Sequence, residues 1–149
     1  MIQLLTVEKK LNPGSSKTSL VFFFKVPQRV RQLTAHMTYN PVSLGDRAQS
    51  QILIQAAMRA YTPWEPLEDW EKHMPLSNLI TLSLDDPSGF RGNAHRKEGD
   101  QTHTLSSAQA SLGFLPGPIV PGTWRATVHI HALVTEECSF KLQITGVEE

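Results

Sequence analysis

The chain has 149 residues, and 14 basic side chains balance 14 acidic ones, so there is no formal net charge. That balance removes the electrostatic basis for nucleic acid or an anionic membrane as partner, since both need a basic excess. With 40% hydrophobic and 19% charged residues the composition is globular, and the length suits one domain over residues 1–149. A lone cysteine, Cys138, cannot form an intrachain disulfide. The segment Met1 to Lys10 turns charged too soon for a signal peptide. Leu20 to Phe24 stops at Lys25, well short of the roughly 20 residues of a membrane span. The expectation is a chain that starts near Met1 and stays in the cytoplasm.

In chain order, Ser19 to Val26 is β-branched and aromatic, closes at Pro27, and predicts a strand buried on both faces. Leu33, Ala35, Met37 and Tyr39 alternate with polar neighbours and predict a half-exposed strand ending at Asn40-Pro41. Ser43, with Asp46 three residues on, looks like a capping box. A helix over about 44–60 follows, with Leu44, Ala48, Ile52, Leu53, Ala56, Ala57 and Ala60 on one face. We expect it to lie across one end or edge of a sheet and bury Ile52, Leu53 and Ala56. The proline-rich stretch over about 62–77 predicts a surface connector pinned by Trp64 and Trp70.

Ile80, Leu82 and Leu84 form the inward stripe of another strand, ended by the turn Asp85-Asp86-Pro87-Ser88-Gly89. A polar segment from Asn93 to Thr104 contains a short strand at Thr102 to Leu105. Leu112 to Gly122 is rich in proline and glycine and suits a crossover between sheets. Trp124 to Ala132 and Ser139 to Thr145 alternate as strands. The fold class predicted is mainly β: an antiparallel β-sandwich (jelly-roll or immunoglobulin-like) with one inserted amphipathic helix.

Two motifs then stand out in order, Asp86-Pro87-Ser88-Gly89-Phe90-Arg91-Gly92 and Leu115-Pro116-Gly117-Pro118-Ile119 with Pro121-Gly122-Thr123-Trp124. Together with Phe22 to Val26 and Tyr39-Asn40-Pro41, they resemble the β-sandwich that precedes the PHP hydrolase domain in CehA/McbA-like metallohydrolases. The likeness covers most of the chain. In that family the metal centre begins after the sandwich with an Asp-x-His-x-His run, whereas this chain ends at Glu149. The resemblance therefore implies a stand-alone accessory module without the hydrolase domain, and hydrolase activity is not carried over.

Chemistry-bearing residues are few. His129 and His131 are two apart on a strand and share the face opposite Trp124 and Ile130. With His95 and His103, or Asp85 and Asp86, they are the candidate ligands for a divalent metal such as zinc. The plain alternative is a polar sheet face that needs no ligand. Arg91, His95, Arg96 and His131 form the best polar constellation if the loop after Gly92 folds over the strand of His131. Against that, Gly89 and Gly92 supply positive φ, Phe90 plugs the core and Arg91 forks onto Asp85 or Asp86. Cys138 is best taken as a small buried hydrophobe. No signature of a serine hydrolase, nucleotide binder or zinc protease is present.

The expectation is a non-catalytic module with no cofactor that binds a protein partner or a second copy of itself, with Trp64 and Trp70 as the interaction surface. The alternative is a small-ligand or metal-binding protein around Arg91, His95, Arg96 and His131.

Overall fold

A computed structural model describes residues 1–148. Eight strands run in the order β1 (Ile2–Leu11), β2 (Thr18–Val26), β3 (Val30–Asn40), β4 (Leu79–Asp86), β5 (Gly89–Ala94), β6 (Asp100–Ser106), β7 (Gly122–Ala132) and β8 (Cys138–Glu148). Helix α1 (Arg47–Tyr61) and a 3-10 helix (Leu67–His73) lie between β3 and β4. One sheet has the order β1-β8-β3-β6 and the other β2-β7-β4-β5, with every pairing antiparallel. Pairing is nested: β4 joins β5, β3 joins β6, β2 joins β7 and β1 joins β8, as if one long hairpin had been rolled into two layers. No helix among the described residues is long and apolar enough to cross a membrane.

Alternation fills the space between the layers. Leu33, Ala35, Met37 and Tyr39 from β3, and Phe140, Leu142 and Ile144 from β8, meet Ile80, Leu82, Leu84, Trp124, Ala126, Val128 and Ile130 from the other sheet in one buried cluster. Their polar neighbours point outward because successive side chains of a strand alternate faces. Each large apolar side chain removed from water contributes about 1.5–3 kcal/mol. The sandwich with an inserted helix is thus the fold of this chain. Cys138 is fully buried, as expected, and burial raises the pKa of its thiol.

Several expectations need correction. β2 is not buried on both faces. It is an edge strand whose outward Val21 and Phe23 are 47% and 66% exposed. β1 and β5 are additional to the expected strands, because Glu8-Lys9-Lys10 interrupts the pattern of one and two glycines that of the other. Phe90 does not plug the core but stands 59% exposed on the hairpin.

The helix starts later than the sequence suggests. Asp46 is its cap, its side chain accepting from the Gln49 amide at 2.9 Å. Its buried residues are Ser50, Ile54 and Met58, each four apart, while Ile52 and Ala56 face solvent and Leu53 is only half-buried. Helix α1 does not lie on a sheet edge. Ile54 and Met58 pack with Trp70 of the 3-10 helix into a second small cluster, lined by Leu67, Met74 and Leu76. An alanine-rich helix satisfies several apolar stripes at once, so period alone does not pick out the inward one.

Candidate functional site

The outer face of the β2-β7-β4-β5 sheet carries the densest polar array. Period-two alternation places Arg125, Thr127 and His129 on β7 beside Asp85, Ser83 and Thr81 on β4, and Ser19 on β2 beside His129. His129 sits between two hydroxyls, 3.1 Å from Ser19 Oγ through Nδ1 and 3.0 Å from Ser83 Oγ through Nε2. His131 Nε2 lies 2.8 Å from Thr81 Oγ1, and Thr81 is fully buried. His95, just past β5, packs edge-on against His131 with ring centroids 5.3 Å apart, and His129 stands 6.0 Å from it. Burial lowers the His131 pKa, and the two neighbouring imidazoles lower it further, so the neutral ring is favoured.

This face brings together His95, His129 and His131 of the expected residues; Asp85 shares the face but is paired with Arg125, and His103, Asp86, Arg91 and Arg96 lie elsewhere. His103 is on β6 in the opposite sheet and points into the core. It is 1% exposed, bonded to Gln101 Oε1 at 3.0 Å and packed on Phe114. Its pKa is lowered, first by burial and then by Arg96. The four histidines proposed as metal ligands are thus divided between an outer face and the interior. Among the described residues no three His, Cys, Asp or Glu side chains are arranged to hold a metal ion. Both nitrogens of His129 already have hydroxyl partners. Activating the Thr81 hydroxyl through His131 would need a third group orienting the ring, and the ring's neighbours are two more imidazoles.

Arg91 does not join His131 either; the two sit towards opposite ends of β4. The guanidinium is buried and makes five hydrogen bonds. Nη1 donates to Asp86 Oδ2 at 3.1 Å and to the Pro118 carbonyl at 2.9 Å. Nη2 donates to the carbonyls of Leu115 at 3.1 Å and Gly117 at 3.0 Å, while Nε reaches Leu115 at 3.3 Å. A guanidinium has five N–H donors, so none is left for an anion. The other carboxylate oxygen of Asp86 accepts from the Ser88 and Gly89 amides and shapes the turn.

The group also lies over the Trp124 ring, 5.2 Å from its centroid, and Trp124 Nε1 donates to the Val120 carbonyl at 2.7 Å. Gly92 (φ 129°) and Gly113 (φ 93°) let the hairpin and crossover touch, since a Cβ at Gly92 would come within 2.4 Å of the Phe114 backbone. The two sequence motifs are therefore halves of one clamp. Arg96 lies outside it, exposed on the loop before β6.

The remaining unusual surface belongs to the helical lobe. Trp70 is buried, with the Arg47 guanidinium 4.8 Å from its ring centroid, but Trp64 is 77% exposed. Along α1 and the 3-10 segment, Leu53, Ile54, Ala57, Met58, Tyr61, Thr62, His73 and Leu76 line an apolar groove of about 330 Å³. Below the groove, Glu65 binds Lys72 at 2.5 Å and His73 at 3.3 Å. Hydrogen bonds from Lys72 and Thr62 lower its pKa to about 2. The groove is absent from the sequence-based expectations, although the surplus of apolar positions on α1 is its signal.

No family model and no curated protein matches the chain. Among solved structures, a crystal structure of a Sulfurospirillum deleyianum protein is similar over 95% of this chain and 98% of that one, at 8% sequence identity and a TM-score of 0.34.

Proposed function

We propose that this chain is a non-catalytic β-sandwich module that binds another protein through its helical lobe. The observation that carries the proposal is the groove beside α1. Tyr61, 73% exposed, is part of its lining, and Trp64, 77% exposed, follows three residues on. Aromatic anchors around an apolar slot are what protein partners bury first. Glu68 and Asp69 are exposed on the adjacent 3-10 helix. The occupant we infer is therefore a segment with an apolar anchor and basic flanks.

Kinship with the module preceding PHP hydrolase domains belongs to the same proposal. It is supported by the two resembling motifs, which meet in the Arg91 clamp and so mark a single feature of the fold. The nested strand order supports the finer assignment as a jelly roll. A cytoplasmic setting is supported by the buried, unpaired thiol of Cys138. The competing ligand site is weakened by the saturation of Arg91.

Position-specific photocrosslinking in cells tests the reading. A crosslinker in place of Trp64 is expected to give a discrete adduct that disappears in Ala57→Asp. A crosslinker in place of Thr38, on the opposite sheet, is expected to give none. Adducts of equal yield from both positions, or none from residue 64, would overturn it.

A further inference from the structure

The four sheet edges are treated unequally. The edge of β6 is covered by its own loop, where Ser106 N bonds Gln109 O and Ser111 N bonds Thr104 O. The edge of β5 is covered by the crossover, through Asn93 N to Gly113 O and Leu115 N to Arg91 O. β1 is blunted by a bulge between Gln3 and Leu5 and by the charges of Glu8-Lys9-Lys10. β2 has one charge, Lys25 near its end, and no cover or bulge. Its nine residues pair with β7 without a register shift, it contains no proline, and its outward face carries Val21 and Phe23. Among the described residues no backbone group reaches it from the open side. Proteins ordinarily cover, charge or bend such an edge, because it is a ready template for another strand.

We propose that the open edge of β2 is completed by β2 of a second copy of this chain, antiparallel about a two-fold axis through Phe22, making one continuous eight-stranded sheet. The sequence of the strand selects this occupant. In that register Val21 of each copy stands opposite Phe23 of the other, Ser19 opposite Lys25, and Leu20 opposite Phe24. Moving the register by two residues either way leaves one exposed apolar side chain facing Lys25 or Ser19. Only the centred register joins the four apolar side chains into one patch with polar ends, which is the pairing that stabilises an antiparallel ladder. The dimer uses a surface separate from the Trp64 groove and does not rest on the function proposed for it.

A charge exchange tests both the edge and the register. Light scattering of the full chain is expected to give a dimer. Val21→Glu/Phe23→Glu and Val21→Lys/Phe23→Lys each bring four like charges together and are expected to weaken dimerisation by about 100-fold. Mixing the two variants sets a glutamate of one copy opposite a lysine of the other at both cross-strand pairs, and is expected to restore a heterodimer. Both positions are exposed, and unchanged circular dichroism checks the fold. If either double variant does not fold, Phe23→Lys mixed with Val21→Glu makes the same comparison. A wild-type chain that stays monomeric to millimolar concentration overturns the proposal, as does a dimer indifferent to the like charges or a mixture that stays monomeric. In each of those cases the Trp64 crosslink still decides the helical lobe on its own.

Discussion

The sandwich and the helical lobe are built on different scales. One interior joins both sheets, with side chains from all eight strands or the loops against them, and its end is bolted by Arg91. The lobe has Ile54, Met58 and Trp70 at its centre and an apolar rim left open to water. A region with so small a centre opens at lower free energy than one tied into the global fold. The difference separates stability from recognition: the sandwich supplies a rigid frame, and the lobe carries the adaptable surface.

The largest effect is expected at the clamp. Arg91→Ala leaves the Asp86 carboxylate buried without its partner and strips the Leu115, Gly117 and Pro118 carbonyls of donors. Denaturant unfolding is expected to show a loss of about 3–5 kcal/mol across the whole molecule. Trp70→Ala removes a comparable mass of buried side chain and is expected to cost the lobe about 3 kcal/mol. The loss should be confined to residues 47–76 in hydrogen exchange, with the strands still protected. Exchange that quickens equally in β3 and β8 would merge the two regions into one cooperative unit.

Acid separates the regions further. The neutral form of His103 is favoured by burial and by Arg96. A folded pKa below the unfolded value of about 6.5 means that its contribution is complete above that pH and is lost as pH falls through the folded value. The sandwich is expected to lose at most about 1.4 kcal/mol per pH unit from this residue, and His103→Gln to flatten the slope. Glu65, lowered to about 2, supports the lobe from its ordinary range near 4.5 upward and stops doing so as pH approaches 2. The lobe's acid transition is therefore expected at lower pH than the histidine-dependent loss, as followed by hydrogen exchange of residues 47–76 against the strands. Smallest is Trp64→Ala, which is expected to change stability by less than about 0.5 kcal/mol while abolishing crosslinking from a probe at Tyr61.

Much of this architecture is legible in the residues, for definite reasons. The stripes of β3, β4, β7 and β8 alternate cleanly because each sets apolar side chains toward the core and polar ones on the outer face, those of β4 being covered by the His129 and His131 rings. β2 misleads because its outward face also carries Val21 and Phe23, which hides the alternation. At the polar sites, spacing places His129 and His131 on one face. It cannot show that Ser19, Ser83 and Thr81 arrive from neighbouring strands to occupy their nitrogens. Arg91 shows the same limit. The carboxylate it grips is five residues away, but the three carbonyls that exhaust its donors lie 24 to 27 residues along the chain.

The nested pairing also dictates an assembly order. Only the β4–β5 hairpin joins neighbours through a tight turn; β3–β6, β2–β7 and β1–β8 each close a longer loop around the pair inside. Closing a longer loop costs more entropy before contacts repay it, so the rolled hairpin zips from its tip outward and β1 docks last, beside β8, the strand of the sandwich made after all the others. Until β1 and β8 dock, the inward stripes of the other sheet stay partly uncovered, which makes the nascent chain slow to mature and dependent on the company it keeps.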